Sequence, residues 1–299
     1  MLLNEKCVAC MLEKKLNNIP AGATPEAVAE YRRRTRAAIE RGRAYSSPEV
    51  SAEISAIYRD CFGPERDYTE IKRRFNALML RLEPEIQADV DAAVDPLARA
   101  VQYAMVGNYI DFAALGDVDE DELRRRLDDA SGMTVDASVL EALRREARSA
   151  RRLALFTDNC GEIVTDKVLL RTLRRLNPDL HITVILRGTP VVNDATVEDA
   201  AQVNMNEVAR TVIGNGCNLH GTVLDRISPE ARAEADAADV LISKGQANYE
   251  GLSGCGRNVF YIFMCKCSLF TERFGVEQFS GVLTREGQDT GNCSVACKF

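Results

Sequence analysis

Three short polar clusters follow apolar runs in the C-terminal half of the chain: Asp158-Asn159-Cys160-Gly161-Glu162, Arg187 to Asp194, and Ser243 to Glu250. Each stands where a strand should end, and in open α/β sheets ligands bind in the crevice outside the carboxyl ends of the strands. Together the clusters offer two carboxylates, Asp158 and Asp194, an amide oxygen on Asn159 and an ammonium on Lys244. Two carboxylates and an amide carbonyl make a hard, oxygen-rich donor set that suits Mg²⁺, Mn²⁺ or a similar divalent ion with several waters retained. A lysine beside such an ion can hold a phosphate as a point charge. That combination is the equipment of metal-assisted phosphate-ester hydrolysis, in which the ion polarises the phosphoryl oxygen and activates a water. Each piece also has a plain structural reading. Asn159 with Glu162 fits an N-cap and its acidic partner, Asp194 fits a cap for a helix beginning near Ala195, and Lys244-Gly245 fits a simple turn. The convergence of all of them on one rim favours the chemical reading.

Composition narrows the choice further. The chain has 299 residues, 38 Lys plus Arg against 45 Asp plus Glu, a net charge of −7, 2 His and 10 Cys. A mildly acidic chain lacks the basic face that phosphate backbones demand, so nucleic acid is not an expected partner. With only His181 and His220 available, oxygen or sulfur ligands take priority over a multi-histidine site or a Ser-His-Asp triad. The first residues, Met1 to Lys6, lack the basic start and the apolar stretch of about 7–15 residues of a signal peptide. The longest apolar run, Val259 to Cys265, falls far short of the roughly 18 residues of a membrane helix. The expectation is a cytoplasmic protein without a membrane partner. In that compartment cysteines are buried thiols, metal ligands or redox groups rather than a disulfide framework. Cys7-x-x-Cys10 has the spacing of one arm of a metal site or of a redox pair; Cys265, Cys267, Cys293 and Cys297 would complete it only if the termini meet. No signal of oligomeric state stands out.

The elements that must position these groups divide at about residue 150. From residue 24 onward the chain is rich in Ala, Arg, Glu and Leu at helical spacing. Thr24-Pro25-Glu26 and Ser47-Pro48-Glu49 read as helix starts with proline in the first turn, and further helices are expected at 67–82, 84–106, 119–129 and 136–150. From Leu153 short apolar runs alternate with helical stretches: 153–157, 181–186, 211–213, 239–243 and 258–264 as strands, with helices at 162–176 and 197–209. That alternation predicts βαβ units and a mostly parallel sheet covered on both faces. The expected fold is an α/β chain with an N-terminal helical domain, 1–115, and a three-layer α/β/α catalytic domain, 116–299.

These residues carry a resemblance. Cys7-Val8-Ala9-Cys10, Gly107-Asn108-Tyr109-Ile110-Asp111-Phe112, Asp158-Asn159-Cys160-Gly161-Glu162, Asn193-Asp194-Ala195-Thr196, Lys244-Gly245-Gln246-Ala247-Asn248-Tyr249-Glu250 and Lys266-Cys267 follow one another as in the damage-control phosphatase family. Formerly this was domain of unknown function eighty-nine, and the chain is similar to its prokaryotic branch with a leading Cys-x-x-Cys. The resemblance implies an α/β/α domain with an added helical domain, a divalent metal (Mn²⁺, Co²⁺, Ni²⁺ or Mg²⁺), and hydrolysis of small phosphate monoesters such as sugar phosphates or damaged phosphometabolites. By motif, Asp158, Asn159 and Asp194 resemble the metal ligands and Lys244 and Lys266 the phosphate contacts. Gly245 and Asn248 would lend the loop its backbone and amide groups, and Asn108 and Asp111 would close the site from the helical side. Cys61 to Tyr68 resembles the family's Asp-Pro-Tyr element, but Asp67 stands there without the proline; Lys72 and Asn76 follow at the expected offsets. Two other readings remain open at this level: an S-adenosylmethionine-dependent carboxyl methyltransferase, weakly supported by Gly214-Asn215-Gly216, and a non-enzymatic module anchored on a cysteine-bound metal.

Overall fold

The computed structural model describes residues 1–288. Helix α1 (Glu5–Leu16) is capped by Asn4, whose side chain accepts from the Cys7 N–H. Thr24 caps α2 (Pro25–Arg41), with Pro25 in the first turn where its missing N–H costs nothing. In α3 (Ser47–Phe62) the cap is Ser46, one residue before the position read from sequence, and it forms a capping box with Glu49. These three helices bury a core of their own, including Met11, Tyr31, Ile39, Val50 and Ile54.

Helix α4 (Thr69–Ala92) runs straight through Pro84, where sequence reading placed a break. Phe75, Leu78 and Met79 before the proline and Ile86 and Val90 after it all enter the same core, and that shared burial outweighs the lost backbone bond. The true break is Asp95-Pro96, where the Asp95 carboxylate accepts from the N–H groups of Leu97 and Ala98 and opens α5 (Pro96–Gly107). Three further helices, α6 (Phe112–Leu115), α7 (Glu120–Asp128) and α8 (Ala137–Ser149), lead into the sheet.

The sheet is built from β1 (Arg152–Phe156), β2 (His181–Leu186), β3 (Thr211–Gly214), β4 (Val240–Lys244), β5 (Val259–Met264) and β6 (Gly281–Arg285). Their order is β3-β2-β1-β4-β5-β6. All pairs are parallel except β5 with β6, an antiparallel edge strand that sequence reading missed. Between the strands lie α9 (Glu162–Leu176), α10 (Val197–Gln202), α11 (Pro229–Ala237), α12 (Gln246–Leu252) and α13 (Ser268–Phe274). The expected helix 197–209 is only two turns of α-helix, followed by a 3₁₀ turn at Met205–Glu207.

Alternate residues of each strand enter opposite cores. Leu153, Leu155 and Ile242 join α4, α5, α8 and α9 on one face, while Ala154, Phe156 and Leu241 join α11, α12 and α13 on the other. The arrangement is a three-layer α/β/α sandwich with helices added at its N-terminal side. The larger core extends from Phe75 in α4 to Leu283 in β6, so the expected division at 115/116 does not coincide with a break between cores. Among the described residues, no helix is long and apolar enough to cross a membrane.

Candidate active site

Strands β1 and β4 lie side by side, while β2 and β3 continue on one side and β5 and β6 on the other. Crossovers therefore diverge between β1 and β4 and leave the crevice at which α/β sheets take ligands. Asp158 and Asn159 follow β1, and Gly245 follows β4. The segment after β2 folds back on them through the backbone: Cys160 N–H donates to the Asn193 carbonyl at 2.9 Å and Ala195 N–H to the Asp158 carbonyl at 2.7 Å. Asn159 and Asp194 thereby form an antiparallel bridge. Far apart in sequence, the predicted ligands are neighbours because main chain, not side-chain chance, pairs them.

Buried side chains hold the rim in place. Asn108, fully buried at the end of α5, donates its Nδ2 to Asp158 Oδ2 at 3.0 Å and to both Glu162 oxygens, and its Oδ1 accepts from Met264 N–H. Asn159, which lines the cavity, donates its Nδ2 to Asp158 Oδ2 at 2.8 Å and to Glu162 Oε2 at 3.0 Å, so both amide protons are committed to the rim's carboxylates. Asn193 ties the next turn of the helical side by accepting from Phe112 N–H and donating to the Ile110 carbonyl. Gly245 has φ +80°, and a Cβ there would sit 2.0 Å from Asp158 Oδ2. We expect Gly245→Ala to displace that carboxylate and to cost about 10²-fold in kcat/KM, measured on an aryl phosphate beside a thermal-unfolding control.

Lys244 differs from its expected role as a direct phosphate contact. It is fully buried, and its Nζ donates to Asp166 Oδ1 at 2.6 Å, Glu162 Oε1 at 2.7 Å and the Ala104 carbonyl at 2.9 Å. All three ammonium protons are spent inside the protein. Asn248 is likewise internal, donating to the carbonyls of Thr157 and Lys244 and accepting from Arg187, and Asn108 faces Asp158 rather than the cavity. These three position the rim. Of the lysines assigned to phosphate, Lys266 does line the cavity, its Nζ 2.6 Å from Asp111 Oδ2. Lys72 and Asn76 both hold Asp199, and Asn76 Oδ1 accepts from Gly161 N–H.

Sequence reasoning missed Arg187, the largest fully buried side chain. Its Nε donates to Asp194 Oδ2 at 2.6 Å, while Nη1 reaches Thr222 and Asn248 and Nη2 the His220 carbonyl. It also approaches Asp158 Oδ1 at 3.5 Å. The available signal was an arginine at the end of an otherwise apolar strand, a place where a charge must be paired. Gly188 and Gly216 allow two chain segments to touch, since a Cβ on Gly188 would lie 2.4 Å from the Gly216 nitrogen. Asn215 Oδ1 accepts from Gly188 N–H and Cys217 N–H, so Gly214-Asn215-Gly216 serves chain packing.

The rim carries crowded negative charge. Burial, with Glu162 and Asp194 close by, pushes the Asp158 carboxyl well above the usual carboxylate range. Burial also raises Asp194 to about 6 against the opposing pull of Arg187. Burial pushes Glu162 and Asp111 the same way but is outweighed, by Lys244 for the first and Lys266 for the second, so both lie below their ordinary values. Of these four rim carboxyls, Asp158 and Asp194 are the two raised above their ordinary values, and both line the cavity beside Asn159. This hard, all-oxygen set fits a divalent cation. Among the described residues no cluster of three or more His, Cys, Asp or Glu side chains could hold a metal by itself; two carboxylates and an amide would leave the rest of the shell to water and substrate.

The rim forms the floor of a cavity of about 380 Å³, within the range of small-molecule sites. Its roof comes from α1 and α3, through Cys10, Lys14, Lys15, Ser51 and Ser55. Cys10 and Cys267 both line it, and all eight cysteines among the described residues are free thiols. Burial pushes Cys7 up to about 12, so it is a protonated thiol at neutral pH. Cys293 and Cys297 lie outside the described residues.

A mostly parallel α/β/α sandwich with an oxygen-lined cavity at its switch point, roofed by added helices, defines the class. The family model for the damage-control phosphatase ARMT1-like domain matches residues 3–282, and the chain belongs to that family. It is 31% identical over 238 residues to a damage-control phosphatase of Archaeoglobus fulgidus, covering 78% of this chain and 81% of that protein. With a damage-control phosphatase of Pyrococcus horikoshii it shares 32% identity over 171 residues, 56% of this chain and 58% of the relative. A crystal structure of a DUF89 family protein from P. horikoshii superposes with a TM-score of 0.76 at 23% identity, over 96% of this chain and 99% of that one; this likeness shows the shared fold.

Proposed function

We propose that the chain is a phosphatase that hydrolyses phosphate monoesters of small metabolites, sugar phosphates or damaged phosphometabolites, with a divalent ion (Mn²⁺, Co²⁺, Ni²⁺ or Mg²⁺) held by Asp158, Asn159 and Asp194. One observation carries this reading: the backbone bridge that sets Asn159 against Asp194 beside Asp158 on the floor of the same cavity that Lys266 lines. Membership of the damage-control phosphatase family supports it. When bound, the ion would polarise the phosphoryl oxygens and lower the pKa of a water. The chain's own residues do the rest. Lys266 presents a point charge to the substrate phosphate, and Asp111 holds that ammonium in place. Arg187 fixes the direction of Asp194, and Asn108 and Gly245 fix that of Asp158. Helices α1 and α3 keep bulk water from the reacting group, which strengthens every charge interaction beneath them.

The test is turnover of p-nitrophenyl phosphate and a panel of sugar phosphates by protein stripped with a chelator, then supplied with each divalent ion in turn. The reading expects negligible activity in the stripped protein and recovery with Mn²⁺, Co²⁺, Ni²⁺ or Mg²⁺. Full activity without metal would remove the ion from the mechanism, and no turnover of any ester would remove the phosphatase assignment.

A further inference from the structure

The cavity above the rim has a second charged side that ester hydrolysis leaves unused. Its outer wall is the last turn of α1, which carries Lys14 and Lys15, and half-buried His220 belongs to the same lining. Most other charges there are already matched. Lys266 is paired with Asp111 at 2.6 Å and Glu65 with Arg59 at 2.9 Å, while burial pushes Glu250 up to about 7, which weakens its charge near neutral pH. Lys14 and Lys15 differ: among the described residues, neither has a carboxylate within ion-pair distance. The Lys14 ammonium reaches only the Ala114 carbonyl, at 3.5 Å. Lys15 is half-buried, and burial together with the Lys14 charge lowers its pKa against the pull of Glu65.

Lysines in a last helical turn offset the partial charge of the C-terminal carbonyls. That accounts for cations at this end of α1 but leaves two ammonium charges on the cavity wall with, among the described residues, no carboxylate paired with them. An anionic group entering the cavity would supply the missing counter-charge. His220, held down to about 3 by burial, Lys15 and Arg187, is a neutral imidazole and can hydrogen-bond a hydroxyl without adding charge.

We propose that Lys14 and Lys15 form a subsite for a second anionic group of the substrate, so that the preferred esters carry another phosphate or a carboxylate at the end remote from the scissile bond. The inference rests on the phosphatase reading of the rim. It predicts a substrate with two acidic ends and hydroxylated carbons between them.

The experiment compares kcat/KM for glucose 6-phosphate, glucose 1,6-bisphosphate, 6-phosphogluconate and p-nitrophenyl phosphate, with the divalent ion that gives the highest rate. The wild type should favour at least one doubly anionic ester over glucose 6-phosphate by roughly tenfold, the worth of one charge-assisted hydrogen bond. That ratio should collapse in Lys15→Met and fall in Lys14→Met, through KM rather than kcat, and Lys15→Arg should restore it. Preference for the bisphosphate alone identifies phosphate as the second group, and for 6-phosphogluconate alone, carboxylate. Turnover of all four esters with no such preference, or a preference unchanged in both Met variants, overturns the subsite and leaves the phosphatase reading standing. No turnover of any ester, the aryl phosphate included, overturns both.

Discussion

Asp158→Asn should lower kcat/KM for an aryl phosphate by roughly 10³-fold, about 4 kcal/mol of transition-state stabilisation, without lowering thermal stability. The asparagine is isosteric and can still offer an oxygen to the amides of Asn108 and Asn159, which now meet Asp158 Oδ2. What disappears is the charge that draws a cation. Burial, Glu162 and Asp194 disfavour that charge more than Lys266 and Arg187, 3.5 Å from Asp158 Oδ1, favour it. Melting curves of the metal-free variant should therefore match or exceed those of the wild type. Asp194→Asn is a useful contrast, since its carboxylate is the 2.6 Å partner of the buried Arg187. Stranding that guanidinium should cost stability as well as activity, about 3–5 kcal/mol for a broken buried pair. Wild-type rates in Asp158→Asn with Mn²⁺ or Co²⁺ supplied would remove Asp158 from the mechanism.

Lys244→Met separates a phosphate contact from a structural one. Were Lys244 a ligand of the substrate, the variant would lose activity and keep its stability. Its contacts predict the reverse emphasis: Glu162 and Asp166, both fully buried, would lose their shared cation at a cost of about 3–5 kcal/mol, readable as a lower urea midpoint at constant slope. Activity should fall too, since Glu162 accepts from the backbone and side chain of Asn159 and would no longer be held. The sign of the pH dependence follows. Without Lys244 the two carboxyls are raised in the folded state above their unfolded values of about 4. The folded protein then binds more protons, so its stability falls as pH rises above that value. The deficit relative to wild type should be smaller at pH 5 than at pH 8.

Much of this site was legible because its chemistry is local. Asp158-Asn159 stand just after β1 and Asp194 in the segment that follows β2, and short apolar runs marked those strand ends clearly enough to place the rim. Lys244 was read into the right crevice with the wrong role. A lysine at a strand end looks the same in sequence whether it faces solvent, substrate or two carboxylates on α9; Glu162 was legible as the acidic partner of a cap, and Asp166 only as a helix residue. Arg187 was passed over for a similar reason, since its partners come from Asp194, Thr222, His220 and Asn248. The antiparallel strand β6 was missed because Gly281–Arg285 holds only Val282 and Leu283 as an apolar run, too short to separate from loop.

Local patterning by itself determined the alternating strands and helices and the mostly parallel sheet, while the family was legible only from the order of short motifs running from Cys7 to Cys267. Strands and helices depend on residue type and spacing within about a dozen positions. Tertiary structure decided which polar groups face inward to hold the rim and which face the cavity. It also decided that α1 and α3, with Lys14 and Lys15, close over the rim. Burial and pairing join residues more than a hundred positions apart, as Lys244 is joined to Ala104 and Met264 to Asn108. A side chain's charge can be read from sequence; the partner that claims it is set by packing.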